Sequence, residues 1–170
     1  ACLVRTLTAA GAQVALCAAN PLATRDEIVA ALATEEGVSV YARRGETLDE
    51  LAGHVLAVLD SEPQVTIDDG ADLLVTLHGA RPDLLDGLLG GTEETASGLV
   101  RLRAMESEGV LAVPVVAVNE ARAERVFNDH YGPGQSVLDG ILRATNLLLA
   151  GRTVVVLGYG ATGRGIAARA

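Results

Sequence analysis

Short apolar runs alternate along the chain with stretches whose apolar residues recur at helical spacing. Gln13 to Cys17, Val38 to Tyr41, Val65 to Ile67, Leu73 to Leu77 and Val113 to Val118 have strand length and β-branched content, which predicts buried parallel strands. Between them, Thr24-Arg25-Asp26-Glu27 and Thr47-Leu48-Asp49-Glu50 fit the capping box, in which Thr accepts an orphan N–H and Glu reaches back, so a helix is expected to start at each. Leu99, Leu102 and Met105 share a face on a helix that Gly109 ends, and Val137, Ile141, Ala144 and Leu148 share one on a longer helix. Leu3, Leu7 and Ala10 mark a helix already under way at Ala1. Such alternation predicts an α/β fold, a Rossmann-like parallel sheet covered on both faces.

One boundary is expected, near Ala150-Gly151. Beyond it, Val154-Val155-Val156-Leu157 reads as a buried strand, Gly158-Tyr159-Gly160-Ala161-Thr162-Gly163 as a glycine turn, and Ile166-Ala167-Ala168 as the start of a helix. In a dinucleotide site the first glycine makes the turn, the second lets the pyrophosphate approach the backbone, and the third lets helix and strand pack closely. Gly158, Gly160 and Gly163 fill those positions, and a tight βα turn without a ligand is the alternative. Residues 1–150 are therefore expected to form a first domain, incomplete at its N-terminus, and residues 151–170 the opening strand-turn-helix of a second, with Ala170 inside a helix scarcely begun.

Composition narrows the function classes. All 13 basic residues of the 170 are arginine, against 22 acidic ones, and the net charge of −9 disfavours a nucleic-acid partner. No apolar run approaches the ~20 residues that cross a bilayer, so no membrane role is expected. Cys2 and Cys17 have no metal-ligand spacing and read as free core thiols in a reducing cytoplasm. His54 in a helix and His78 at a strand end also lack ligand spacing, read as structural, and leave no metal site to expect. His130 either touches a substrate or caps a helix C-terminus.

Six segments occur in a telling order: Asn20-Pro21-Leu22-Ala23-Thr24-Arg25-Asp26, Arg44-Gly45-Glu46-Thr47, Asp68-Asp69-Gly70-Ala71-Asp72, Glu93-Glu94-Thr95-Ala96-Ser97-Gly98, Tyr131-Gly132-Pro133-Gly134-Gln135-Ser136 with Asp139-Gly140, and Gly158-Tyr159-Gly160. Over essentially the whole chain this resembles the S-adenosylhomocysteine hydrolase family, in its prokaryotic wording. The resemblance implies a substrate domain that binds a nucleoside, followed by an NAD-binding domain, in a cytoplasmic homo-oligomer, usually a tetramer. It implies hydrolysis by transient oxidation: tightly held NAD oxidises the ribose 3′-hydroxyl, the acidified C4′ proton leaves, homocysteine is eliminated, water adds, and the ketone is reduced again. Such a sequence needs positioned bases for the hydroxyl and C4′ protons. By the motif match Asp69 would transfer protons near the ribose, Glu94 would bind ribose hydroxyls, Thr95 and Ser97 would reach the nicotinamide side, and Gly158, Gly160 and Gly163 would take the pyrophosphate.

The family carries a lysine four residues before an Asp-Asn pair. The matching positions here are Glu124, Asn128 and Asp129, so the lysine has become a carboxylate and the pair is inverted. Glu124 and Asn128 should still share a helical face. The resemblance places them with Asp69 in the catalytic group and Asp129 with Glu94 on the substrate, the side chains of Asp69, Glu94 and Asn128 converging at the carboxyl ends of the strands. Carboxylates crowded in one site raise some of their pKa values, so Glu124 is either a base or a relic. Ala96, Ala23 and Arg25 replace a threonine, a serine and a glutamine of the family wording. A non-catalytic or redirected paralogue is the alternative function.

Overall fold

The computed structural model describes residues 1–170. Packing divides the chain into two compact units, Ala1–Val116 and Ala117–Ala170. In the first, helix α1 (Cys2–Ala9) leads to β1 (Val14–Cys17), α2 (Asp26–Leu32), β2 (Val38–Tyr41), α3 (Leu48–Leu59), β3 (Val65–Asp68), α4 (Asp72–Ala80), a 3-10 turn at Pro82–Gly87, β4 (Gly90–Glu93), α5 (Ala96–Ser107) and β5 (Val115–Ala117), whose last residue opens the second unit. The second unit holds a 3-10 turn at Val118–Glu120, a π-helical turn at Glu124–Asn128, α6 (Asp129–Thr145) and α7 (Ala161–Ala167).

Parallel β-α-β units are present as expected. β1 pairs in parallel with β2, Val14 opposite Val38 and Cys17 opposite Tyr41, while β3 pairs in parallel with β4 in a sheet of order β3-β4-β5. The core lies beside these strands, where Val55 and Leu59 of α3, Leu74 and Leu77 of α4 and Leu102 of α5 pack with Ala71, Leu88 and Val113. The box at Thr47 forms: its hydroxyl accepts from Glu50 N–H, and the Glu50 carboxylate accepts from Thr47 N–H at 2.7 Å. α5 stops at Ser107, two residues before Gly109, whose φ of +73° suits the exit.

Several expectations are corrected. Leu73 to Leu77 is the middle of α4 and not a strand, because the Asp68 carboxylate accepts the free N–H groups of Leu73 and Leu74 and opens a helix there. His78, expected to end a strand, therefore sits in α4. The box at Thr24 does not form. Thr24 is drawn into the Asn20 turn, its hydroxyl donating to Asn20 C=O at 3.0 Å, and α2 begins at Asp26 without a side-chain cap. Val154–Leu157 makes no strand ladder, since no other segment of its unit is a strand with which to pair. α6 ends at Thr145, where Asn146 takes the left-handed conformation, and so leaves Leu148 outside. His130 lies in the first turn of α6, which removes the helix C-terminus it was to cap. α7 is bounded at Ala167, and helical bonding runs on past it, Ala168 N–H donating to Arg164 C=O at 2.9 Å and Ala170 N–H to Ile166 C=O at 3.0 Å.

Candidate active site

In the first unit the chain runs outward from β1 to β2, and then returns to lay β3, β4 and β5 on a second sheet. Parallel α/β folds bind ligands where the strand order reverses, beyond the carboxyl ends of the strands. A cleft of about 120 Å³ lies there, lined by Leu16, Cys17 and Ala18 from the end of β1 and by Ile67, Asp68 and Asp69 from the end of β3. Asp72 and Leu73 of α4 complete its acidic side.

The two adjacent aspartates do different work. Asp68 is buried, and its carboxylate accepts Leu74 N–H at 2.9 Å and Leu73 N–H at 3.3 Å. Burial pushes its pKa up, with the two backbone N–H groups pulling the other way. Asp69 is exposed and lines the cleft. The next loop is tied to this turn directly, because Glu94 N–H donates to Asp68 C=O at 3.0 Å. Glu94 and Ser97 are exposed and Thr95 is half-buried as the N-cap residue of α5. The structure thus brings the Asp69 turn and the Glu94–Thr95 turn together.

Cys2, expected in the core, is exposed, whereas Cys17 packs against the core, as expected of it, and also lines the cleft. Burial, followed by the charges of Asp68, Glu46 and Asp72, pushes its pKa from 9.0 to about 11, so it stands there as a thiol. Both other histidines are structural. His78 Nδ1 donates to Leu74 C=O at 2.7 Å and Nε2 accepts Ala112 N–H at 3.0 Å, so both ring nitrogens are taken up within the fold. His54 Nδ1 meets the buried Glu46 carboxylate at 2.7 Å.

The second unit carries the remaining expected residues. Glu124 and Asn128 share a face as predicted, Asn128 Nδ2 donating to the Glu124 carboxylate within a π-helical turn, a distortion common at functional sites. Asp129 opens α6. At the glycine turn, Gly158 has φ +96°, and a Cβ on Gly163 would collide with Gly158 C=O. No heavy atom beyond the neighbouring chain lies within 4 Å of where a Gly160 Cβ would stand. Gly158 thus takes a glycine conformation, Gly163 packs against the turn it follows, and Gly160 is open.

Parallel β-α-β units, a cleft between the ends of β1 and β3 that carries three aspartates, and a glycine turn define an α/β protein. Residues 1–84 match the family described as S-adenosyl-L-homocysteine hydrolase, and residues 129–170 match the NAD binding domain of the same family. The chain belongs to the S-adenosyl-L-homocysteine hydrolase family, and NAD is the cofactor of the domain its last residues match. Among its relatives, an S-inosyl-L-homocysteine hydrolase of Methanopyrus kandleri is 55% identical over all 170 residues of this chain, which cover 40% of that protein. An adenosylhomocysteinase of Aquifex aeolicus is 52% identical over 168 residues, 99% of this chain and 40% of its own, and one of Pyrococcus abyssi is 54% identical over the same share of each. The chain spans about 40% of the length of these relatives.

Proposed function

We infer that the whole protein is an NAD-dependent hydrolase of S-nucleosyl-L-homocysteine thioethers, with S-adenosyl-L-homocysteine as the first substrate to try and the S-inosyl compound as the second. The observation that carries this reading is the cleft between the ends of β1 and β3, with Asp69 on its wall and the Glu94 turn hydrogen-bonded beside it. The names of the relatives divide between the adenosyl and inosyl substrates, which is why both are tried.

Bound NAD would supply the hydride acceptor, and later the hydride donor, for the ribose 3′ carbon. The glycine turn of Gly158, Gly160 and Gly163 suits its pyrophosphate, and Thr95 and Ser97 would reach its nicotinamide side. Asp69, exposed on the cleft, would exchange protons at the ribose, and Glu94 would accept hydrogen bonds from the ribose hydroxyls. Glu124 and Asn128 would complete the catalytic group, with Asp129 on the substrate. The domain boundary is placed near Ala150-Gly151, and a cytoplasmic homo-oligomer, by resemblance a tetramer, is part of the same reading.

One observation favours a second reading. Glu124 stands where the resembled family has lysine, and its carboxylate is engaged by Asn128, which suits a paralogue that binds a nucleoside without hydrolysing the thioether. Absorbance of reduced NAD after adenosine is added to the full-length protein separates the two. Reduction of the bound NAD supports the hydrolase reading, and adenosine binding without any reduction overturns it in favour of the second.

A further inference from the structure

Glu93 ends β4 with no exposed surface. Its Oε1 accepts two backbone N–H groups from different loops, Gly70 at 2.9 Å and Thr95 at 2.8 Å. Gly70 directly follows Asp69, and Thr95 directly follows Glu94. Oε2 is buried with no hydrogen-bond partner. A Cβ on Gly98 would overlap this carboxylate, so glycine in the first turn of α5 is what leaves room for it. The carbonyl of Gly70 is held from the other side by Arg101, at 2.6 Å.

A buried carboxylate with one oxygen unpaired is costly, and an apolar side chain would fill the same space at less cost. Its geometry is what an apolar residue cannot supply: a single acceptor shared by the two turns that carry the exposed carboxylates. We propose that Glu93 is the positioning residue of the candidate active site, its Oε1 fastening the Asp69 turn to the Glu94–Thr95 turn so that both carboxylates meet the ribose in fixed register. What is positioned rests on the functional reading above; how it is positioned rests on the hydrogen bonds alone.

The test uses the full-length protein and two variants. Glu93→Gln keeps the volume but replaces the carboxyl group with an amide, which brings an NH2 into a pocket whose two loop partners are both N–H donors. Gly98→Ala displaces the carboxylate without removing it, which keeps the idea testable if the first variant does not fold. Hydrogen exchange is read at Gly70 and Thr95, with Leu73 and Leu74, held by Asp68, as internal controls. Both variants are expected to exchange at least about tenfold faster at the first pair and unchanged at the second, and to lose at least about tenfold in kcat for S-adenosyl-L-homocysteine with KM within about threefold. A purely structural role would loosen the control amides as well and leave the kcat of the folded protein intact. Unchanged exchange at Gly70 and Thr95, or faster exchange with kcat intact, overturns the proposal. If the wild-type protein turns over neither thioether, the functional reading has failed, and the exchange at the two amides alone decides the fastening.

Discussion

Asp68 and Asp69 are neighbours with opposite fates. The strand alternates its side chains, so Asp68 points inward and spends its carboxylate on two N–H groups of α4, whereas Asp69 remains exposed on the cleft. Cys17 faces the same cleft as a thiol. Its proton is held more tightly in the folded protein than in the unfolded chain, so its contribution to stability is whole below pH 9 and lost as the pH rises through about 11. Alkylation of Cys17 by iodoacetamide at pH 8 is expected to run about a hundredfold slower than in the urea-unfolded protein, because the thiolate is the reactive form. Equal rates would contradict the raised pKa. Glu124 is the residue whose identity departs most from the resembled family. With Glu124→Lys, Asn128→Asp and Asp129→Asn together, hydrolysis by the full-length protein is expected to rise at least about tenfold, since general-base help is worth roughly 10²–10⁴ in rate. An unchanged rate would show that the carboxylate already serves.

At the scale of elements, the glycine turn separates two roles that the sequence pattern presents as one. Gly163 has the carbonyl of Gly158 where a Cβ would go, whereas Gly160 has open space. Gly163→Ala is expected to lower both the melting temperature and NAD affinity, and Gly160→Ala to lower NAD affinity alone; matched losses of stability in the two would contradict this division. How far each element could be read in advance follows from what sets it. The ends of α3 and α5 were legible because Thr47, Glu50 and Gly109 act within a few residues of themselves. Leu73–Leu77 was misread because its apolar run fits either a strand or a helix, and the deciding cap, Asp68, belongs to the previous element. β3 inverts its polarity: Thr66 and Asp68 are buried while Val65 and Ile67 are about half exposed, so alternation alone would have turned the strand over. The Asp69 and Glu94 turns were found by motif, but Glu93 entered only as the first residue of the Glu93–Gly98 segment, with no role of its own. Nothing local distinguishes it, because its partners Gly70 and Thr95 lie on two loops brought together by the β3-β4 pairing.

On the scale of the whole molecule, the acidic balance is unevenly spread. Residues 1–116 hold 18 of the 22 carboxylates and 7 of the 13 arginines, while residues 117–170 hold 4 and 6. The unit with the glycine turn is thus slightly basic, which favours a pyrophosphate, and the unit with the cleft is strongly acidic, which suits a nucleoside without phosphates. The most direct test is release of homocysteine by the full-length, NAD-loaded protein, measured with S-adenosyl- and S-inosyl-L-homocysteine for the wild type and for Asp69→Asn. The account predicts release from at least one of the two thioethers, reduced by about 10²–10⁴ when Asp69 loses its charge. No release from either thioether, or release that Asp69→Asn leaves untouched, would contradict it.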